Sequence, residues 1–484
     1  MEYIVGESRE QILLFPETLD DLISEENPVR FIDLYIDKLD LKLLNFKLRK
    51  SNIGRPAYSE KVLLKIYIYG YMNRIRSSRR LENECKRNIE LMWLTKRLAP
   101  DFKTIADFRK DNKEGIKKVH KEFLKLCHKL GLLSFEIVGI DGTKMRAQNS
   151  NDNIYKREEI EKVSKQIDEK IEEYLKELDK NDQSEMGEYE SLKTNIKKRL
   201  KRLISRKEKI EKIREMFEEN AEIKRYFGND PECEFMKDKG CIRPGYNVQS
   251  AVDDKNKLIV AIDVVNESND SHQLTNMSEK VEEVKAEIGF EEEKKTKKVA
   301  DAGYFGVKEI MKAEDKGHDV YVANSKDKNK GLGNRYSLGD FSYNKEKDVY
   351  ICPCGKELVR KSRNPINRDG KLTLEYICKS CNTCKDKELC TKSKEGRKIE
   401  IYIRKEEMDK YNNKIMSEEG KRLIGKRKEL CEHPFGTIKR NLGYDYFLLK
   451  GRDGALTEFS IISMVYNMKR VLNIFGVKEL LEVI

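Results

Sequence analysis

The hydrophobic periodicity of the chain changes near Phe135, and this change constrains the fold more than any other feature. In the first 130 residues, apolar side chains such as Phe31, Ile32 and Tyr35 recur at the three- and four-residue spacing of helices. Beyond Phe135, short apolar runs bounded by turn residues alternate with helical patterns. These runs lie at 135–140, 246–253, 258–265, 298–301 and 319–324. The pattern predicts an all-helical domain followed by an α/β unit with a mixed sheet.

Two segments interrupt the α/β pattern. Residues 151–220 contain 18 basic and 19 acidic residues, and their apolar residues step by three and four on both sides of a turn near Asn181 and Gly187. This predicts an antiparallel helical hairpin with one narrow apolar seam and a structural role. A Cys-rich stretch forms the second interruption. The predicted organisation is a helical domain at 1–130, a core at 131–334 and 404–484 with the hairpin insert at 151–228, and the Cys-rich insert at 335–403.

Two aspartates stand at the ends of predicted strands. Asp141 follows an apolar run and precedes Gly142, so we expect a turn there, with 143–147 as a partner strand. Asp301 also ends an apolar run, and Gly303 follows it. Reactive groups in open α/β sheets lie at the carboxyl ends of strands, and two neighbouring carboxylates favour a divalent cation between them. The alternative is that each aspartate is an ordinary turn residue.

Two stretches of the chain are strongly basic. Residues 61–120 contain 16 Lys and Arg against 7 Asp and Glu, a net charge of +9 in a chain whose total is +12. Four arginines at one junction between predicted helices suit a phosphate-gripping or helix-turn-helix module: Arg74, Arg76, Arg79 and Arg80. The alternative is an ordinary helical bundle with a solvated basic face.

The second basic stretch surrounds one candidate carboxylate. Residues 421–440 hold 7 basic and 2 acidic side chains, and Glu432 lies four residues after Lys428 and seven before Lys439. This spacing is compatible with a salt bridge along one helix. It is equally compatible with a metal ligand whose flanking cations grip a nucleic acid backbone.

Six of the eleven cysteines are clustered. They follow the pattern Cys352-x-Cys354, then Cys378-x2-Cys381-x2-Cys384-x5-Cys390. Two short-spaced groups separated by a loop predict a structural Zn²⁺ site rather than disulfides. The alternative is a buried thiol cluster in a reducing compartment.

Composition excludes two further classes. No apolar stretch approaches the ~20 residues that a membrane helix needs, and residues 1–9 lack the basic and apolar regions of a signal peptide. We therefore expect a cytoplasmic protein with no membrane partner. The positive net charge favours an acidic partner such as nucleic acid, although weakly.

Taken together and in this order, five motifs resemble those of bacterial insertion-sequence transposases of the DDE type, in the branch with an InsH-like N-terminal helical domain and a Cys-bearing insert. They are Tyr58-Ser-Glu-Lys-Val-Leu-Leu with the helices up to Phe108-Arg109, Val138-Gly-Ile-Asp-Gly-Thr-Lys, Gly245-Tyr-Asn-Val-Gln, Val299-Ala-Asp-Ala-Gly-Tyr and Cys431-Glu-His-Pro-Phe-Gly-Thr-Ile-Lys.

The resemblance implies an RNase H-like catalytic core whose acids are Asp141, Asp301 and Glu432. Family members place the first acid on the first strand, the second after the fourth strand and the third on a helix. In a related signature around the glutamate, Lys439 fits the lysine position, whereas Lys428 stands where an arginine would. The resemblance further implies Mg²⁺ or Mn²⁺ as cofactor. For zinc, it favours four cysteines: Cys352, Cys381, Cys384 and Cys390.

The implied function is cleavage of insertion-sequence ends and joining of the 3′-hydroxyl to target DNA by two-metal phosphoryl transfer. The implied partners are double-stranded DNA, at the element ends and the target, and a second copy of the chain in a homodimer on DNA. The expected location is the nucleoid. One alternative is a non-catalytic DNA-binding repressor derived from a transposase. Another is a zinc-ribbon nuclease without preference for particular DNA ends.

Overall fold

The computed structural model describes residues 18–47, 56–182, 190–238, 240–291, 294–323, 336, 338–362, 364–368, 371–391 and 393–483. Three features of the sequence lie outside the described residues: segment 1–9, the hairpin turn around Gly187 and the boundary at 334–335. The last residue of the strand predicted at 319–324 also lies outside them.

The described part of the N-terminal region is helical, as the periodicity predicted, and contains six helices. They are α1 (Pro28–Lys38), α2 (Glu60–Met72), α3 (Ser78–Arg87), α4 (Ile89–Leu94), α5 (Phe102–Asp111) and α6 (Lys113–Lys129). Polar side chains start several of them by accepting hydrogen bonds from first-turn backbone N–H groups: Asn27 for α1, Ser59 for α2 and Asp101 for α5.

Strand β1 (Ile137–Arg146) is followed by the predicted helical hairpin. Its base is an antiparallel pair, β2 (Ile154–Lys156) with β3 (Arg225–Phe227), and its shaft consists of α7 (Ile160–Asp182) and α8 (Glu190–Glu219). A small apolar cluster of its own joins the two helices: Ile160, Ile167, Ile210, Ile213 and Phe217. The hairpin prediction is confirmed.

The central sheet is mixed, as predicted. It contains β1, β4 (Glu234–Asp238), β5 (Cys241–Asp253), β6 (Ile259–Val265), β7 (Lys297–Ala300) and β8 (Asp319–Val322). Strand β1 lies between β5, to which it is antiparallel, and β7, to which it is parallel. β8 continues the parallel side, while β4 and β6 pair with successive halves of β5 on its other edge. Helices α9 (Leu274–Ile288) and α10 (Val307–Asp315) connect β6 to β7 and β7 to β8.

The turn predicted at Asp141 and Gly142 is wrong. β1 runs straight through both residues, with Asp141 opposite Ser250 and Gly142 opposite Gln249. A methyl group at position 142 would lie 2.6 Å from Nε2 of Gln249 and 2.7 Å from Oδ1 of Asp270. The glycine therefore permits the close approach of neighbouring side chains and does not reverse the chain.

The Cys-rich insert has a sheet and an apolar core of its own. It comprises β9 (Ser342–Asn344), β10 (Val349–Ile351), β11 (Glu357–Arg360), β12 (Ile366–Arg368), β13 (Lys371–Ile377), α11 (Lys387–Cys390) and β14 (Lys398–Tyr402). Cys378, Cys381 and Cys390 belong to its core.

Four helices complete the described chain: α12 (Lys405–Met416), α13 (Glu418–Gly436), α14 (Arg452–Phe475) and α15 (Val477–Val483). Pro434 lies inside α13, and a π-helical turn (Thr437–Asn441) follows. One contiguous hydrophobic cluster includes residues of the N-terminal helices, the central sheet and α14. Among the described residues, no helix is both long and apolar enough to cross a membrane.

Candidate active site

Asp141 and Asp301 are neighbours on parallel strands. The pairing of β1 with β7 ends at Ile140 and Ala300, and the two aspartates are the next residues. Paired strands lie ~4.8 Å apart, so both carboxylates occupy the edge where β7 ends. A backbone N–H fixes each of them: Gly142 donates to Oδ1 of Asp141 (2.8 Å) and Gly303 to Oδ1 of Asp301 (2.5 Å).

The environment of Asp141 disfavours its negative charge. Burial, above all, raises the pKa of this carboxyl to about 6, and the nearby carboxylates of Asp301 and Asp270 act in the same direction. Arg427 opposes them through an ion pair in which Nη1 lies 3.3 Å from Oδ2 of Asp141. The negative charge of a buried carboxylate close to other carboxylates is stabilised when positive charge is added near it.

Asp270 is a third carboxylate at this edge, and it belongs to none of the motifs found in the sequence. It lies in the turn between β6 and α9. Its Oδ1 accepts hydrogen bonds from Asn247 (2.7 Å), Gln249 (2.8 Å) and Lys144 (3.2 Å). One feature of the sequence could have indicated this part of the site. Two polar residues, Asn247 and Gln249, alternate on one face of β5, beside the small Gly142 of β1.

Glu432 lies on helix α13, which crosses β1 at Gly139. A methyl group at position 139 would lie 2.7 Å from Sγ of Cys431, so α13 and β1 are in close contact. Glu432 is the next residue along α13 and is exposed. Burial raises the pKa of the Cys431 thiol, and the carboxylates of Asp141, Asp301 and Glu432 all raise it further. The charges of all three predicted acids are therefore felt at one buried thiol.

The cations of α13 are arranged differently from the sequence expectation. Arg427 faces Asp141 and is largely buried, whereas Lys428 is exposed. Lys439, in the π-helical turn, donates to the backbone carbonyl of Lys144 (2.7 Å) and lies 3.7 Å from Asp238. The guanidinium beside Asp141 is thus that of Arg427, which is not among the candidate residues of the sequence.

The four arginines of the N-terminal helices also separate into two groups. Arg74, Arg79 and Arg80 are exposed, and Arg79 stacks over Phe102 at 4.6 Å. Arg76 is 7% exposed and pairs with the buried Glu458 (3.3 Å). Its burial is evidence against the predicted role of Arg76 in DNA binding, because its charge is already neutralised inside the fold.

All six clustered cysteines line one small cavity in the insert. Backbone N–H groups donate to two of the sulfurs, from Lys356 to Cys352 (3.3 Å) and from Arg397 to Cys381 (3.2 Å). Cys354 instead contacts Asp386, with 3.2 Å between Sγ and Oδ2. All six are free thiols in the structure.

Within the described ranges, no three His, Cys, Asp or Glu side chains are arranged around a point where they could hold a metal ion. This applies to the carboxylates and to the cysteines. At the carboxylate edge, two of the acids are engaged by cationic side chains, Asp141 by Arg427 and Asp270 by Lys144.

Two family models match the chain. The first, described as "Transposase domain (DUF772)", matches residues 17–111, which include the exposed arginines. The second, described as "Transposase DDE domain", matches residues 351–472, which include the cysteine cluster, Glu432 and Lys439. No curated protein and no solved structure matches the chain.

We predict that Asp141→Asn stabilises the protein in EDTA at neutral pH. The pKa of the folded carboxyl is about 6 against an ordinary 3.8, so its contribution to stability is present below pH 3.8 and is lost as pH rises through 6. The variant does not undergo this loss of stability, because asparagine does not ionise. Its advantage over the wild type in the free energy of unfolding should grow by about 2–3 kcal/mol between pH 4 and pH 7. Urea unfolding at several pH values measures it, with the exposed Asp409→Asn as control; an advantage independent of pH would contradict it.

Proposed function

Because its two matched domains identify the chain as an insertion-sequence transposase of the DDE type, we propose that it cuts the ends of its element and joins them to target DNA. In the first step, water attacks the phosphorus and the bond to the 3′-oxygen breaks, which leaves a 3′-hydroxyl. In the second, that hydroxyl attacks a target phosphodiester and displaces its 3′-oxygen.

The observation that carries this proposal is the placement of the three acids. Asp141 lies on the first strand of the central sheet, and Asp301 directly follows β7, the parallel neighbour of β1. Glu432 lies on a helix packed against β1. This is the placement expected for an RNase H-like core, and the antiparallel β1–β5–β6 half with the parallel β1–β7–β8 half also supports that fold.

The donor chemistry of the site fits Mg²⁺ or Mn²⁺, which are hard cations that prefer carboxylate oxygens. Burial and neighbouring carboxylates raise the pKa of Asp141, so added positive charge would stabilise its carboxylate. In the structure, the guanidinium of Arg427 supplies such a charge. We assign Asp141, Asp301 and Glu432 as the metal-holding residues. A bound pair of cations would activate the attacking oxygen and stabilise the leaving oxygen.

We assign contacts with the DNA backbone to three cationic side chains of the C-terminal helices. Arg427 pairs with Asp141; a cation held by Asp141 would compete for this carboxylate, and the guanidinium could then bind a phosphate. Lys428 is exposed one residue further along α13. Lys439 lies where β1 continues past the aspartates, next to Lys144. In this proposal, Arg427 has the role of the arginine in the family signature around the glutamate.

End recognition is assigned to the N-terminal helices. Arg74, Arg79 and Arg80 are exposed at the junction of α2 and α3, within the matched segment 17–111. Cutting two ends of one element in a coordinated way requires two active sites, so we propose a homodimer on DNA.

The Cys-rich insert is proposed to hold one structural Zn²⁺. The six sulfurs line one cavity, and those of Cys352 and Cys381 accept hydrogen bonds from backbone N–H groups. With Cys384 and Cys390 they form the set that the family pattern favours. Cys354, which contacts Asp386, is the first of the two spare thiols.

Asp301→Asn should abolish strand cleavage and leave binding of end-containing DNA nearly intact. The substitution removes a metal-holding charge at almost constant volume, and even outer-shell changes at metal sites cost 10–100-fold, so we expect a loss of more than about 100-fold. Cleavage is measured on labelled end DNA with Mg²⁺ or Mn²⁺, and binding by gel shift, with Asp409→Asn as control. A comparable cleavage rate in the variant would exclude the mechanism. End binding without any cleavage by the wild type would instead favour the repressor.

Replacing Arg79 and Arg80 with Ala should weaken binding to all duplexes similarly. Each lost phosphate contact flattens the log–log dependence of affinity on salt by about one unit, because fewer counterions are released. Fluorescence anisotropy of the full chain between low and moderate salt measures the slope. Lys197 and Lys198, exposed on the helical hairpin, provide a matched double-Ala control that should leave the slope unchanged. An unchanged slope in the arginine variant would move end recognition to residues 421–440.

Cys381→Ser should lower the zinc content and the thermal stability before it affects cleavage. Thiolate zinc sites supply folding energy directly. Zinc per chain is measured by native mass spectrometry after purification under reducing conditions, with an expected value of one for the wild type. Cys354→Ser is the matched control and should retain its zinc. A wild-type chain without zinc, and with stability insensitive to chelators, would refute the proposal.

A further inference from the structure

We propose that Asp270 is a fourth carboxylate of the active site and binds a divalent cation together with Asp301. The inference rests on the proposed function and extends it to a residue outside the three acids of the family pattern. Three features carry it: the way the carboxylate is held, its distance from Asp301 and the distribution of charge around it.

The carboxylate of Asp270 is fixed by one of its two oxygens. In the described part of the chain, its side-chain hydrogen bonds all end on Oδ1, from Asn247, Gln249 and Lys144. Asn247 and Gln249 are fully buried. Oδ2 receives none of these donors. Carboxylates that bind metal ions in proteins are commonly oriented by hydrogen bonds in this way, and the other oxygen of Asp270 could bind a cation.

The hydrogen bonds that hold Asp270 extend to the loop of Asp301. Gln249 donates to Asp270 through Nε2 and accepts the hydroxyl of Tyr304 through Oε1. Tyr304 is buried, three residues after Asp301 in the same short loop. The positions of the two carboxylates are therefore coupled through a buried amide and a buried hydroxyl.

The distance between the two carboxylates suits a metal centre. A methyl group at Gly303 would lie 2.8 Å from Oδ1 of Asp301 and 3.8 Å from Oδ2 of Asp270. The two oxygens are thus at most 6.6 Å apart, with no side chain at Gly303 between them. Two Mg²⁺ ions ~3.5–4 Å apart, each ~2.1 Å from its ligand oxygen, span about 8 Å. Asp270 and Asp301 therefore lie within reach of such a pair.

Cationic side chains already occupy both ends of this group of acids. The ammonium of Lys144 lies 3.2 Å from Asp270, and the guanidinium of Arg427 lies 3.3 Å from Asp141. Both pairs are largely buried. Three carboxylates with two internal cations leave an uncompensated negative charge, which a divalent cation would offset.

Mn²⁺ binding to the full-length protein without DNA tests the inference. Electron paramagnetic resonance measures free Mn²⁺ in titrations of the wild type, Asp270→Asn, Asp141→Asn and the control Asp409→Asn. We expect Asp270→Asn and Asp141→Asn each to weaken binding at least tenfold, and Asp409→Asn to stay within twofold of the wild type. Asp270→Glu, which keeps the charge, should lose less affinity than Asp270→Asn.

A structural role of Asp270 is separated from a metal-binding role by thermal unfolding. Asn at position 270 retains an oxygen that can accept from Asn247 and Gln249, so the variant should melt near the wild type in EDTA. It should lack most of the stabilisation that Mn²⁺ gives the wild type. Affinity within twofold of the wild type for Asp270→Asn, with Asp141→Asn impaired, would overturn the inference and leave the proposed function intact. Wild-type affinity in both variants would overturn the inference and the proposed metal site together.

Discussion

The close crossing of helix α13 over strand β1 at Gly139 is the contact on which the candidate site depends. Sγ of Cys431 and Cβ of Leu430 would lie 2.7 Å and 3.1 Å from a methyl group at that position. A larger residue would require the side chain of Cys431 or the helix itself to shift. Because α13 carries Arg427 and Glu432 while β1 carries Asp141, the missing side chain of one glycine sets how near these charges come to each other. The family motif around Asp141 thus contains a packing requirement as well as a catalytic candidate.

A second buried contact joins the N-terminal helices to the sheet region. The carboxylate of Glu458 on α14 accepts hydrogen bonds from Tyr71, Arg76 and the backbone N–H groups of Leu448 and Leu449. Removing one partner of such a buried pair leaves an uncompensated charge. The helices that we assign to end recognition therefore share one hydrophobic core with the sheet, whereas the Cys-rich insert has its own. DNA bound by the helices would be held at a defined position relative to the carboxylates.

The site combines groups whose proximity is unfavourable without a ligand. Burial and like charges raise the pKa of Asp141, and Arg427 compensates it in part. Functional sites often retain such arrangements at the expense of stability, because the same unsatisfied charge provides affinity for a cation. The two internal cations, Arg427 and Lys144, compensate part of the negative charge of these carboxylates.

The sequence by itself determined most of the helices, five strands of the central sheet and the helical hairpin, since each follows from the spacing of apolar residues within one segment. It also identified Asp141, Asp301 and Glu432 as candidates and grouped the cysteines. The tertiary structure alone decided that Gly142 continues a strand, that Arg427 rather than Lys428 faces the aspartates, that Arg76 is buried and that Asp270 joins the acids. Arg427 and Asp141 are separated by 286 positions in the chain. Periodicity reports which residues form an element, but which faces of two distant elements meet is fixed by packing and register between them, and no local pattern encodes that.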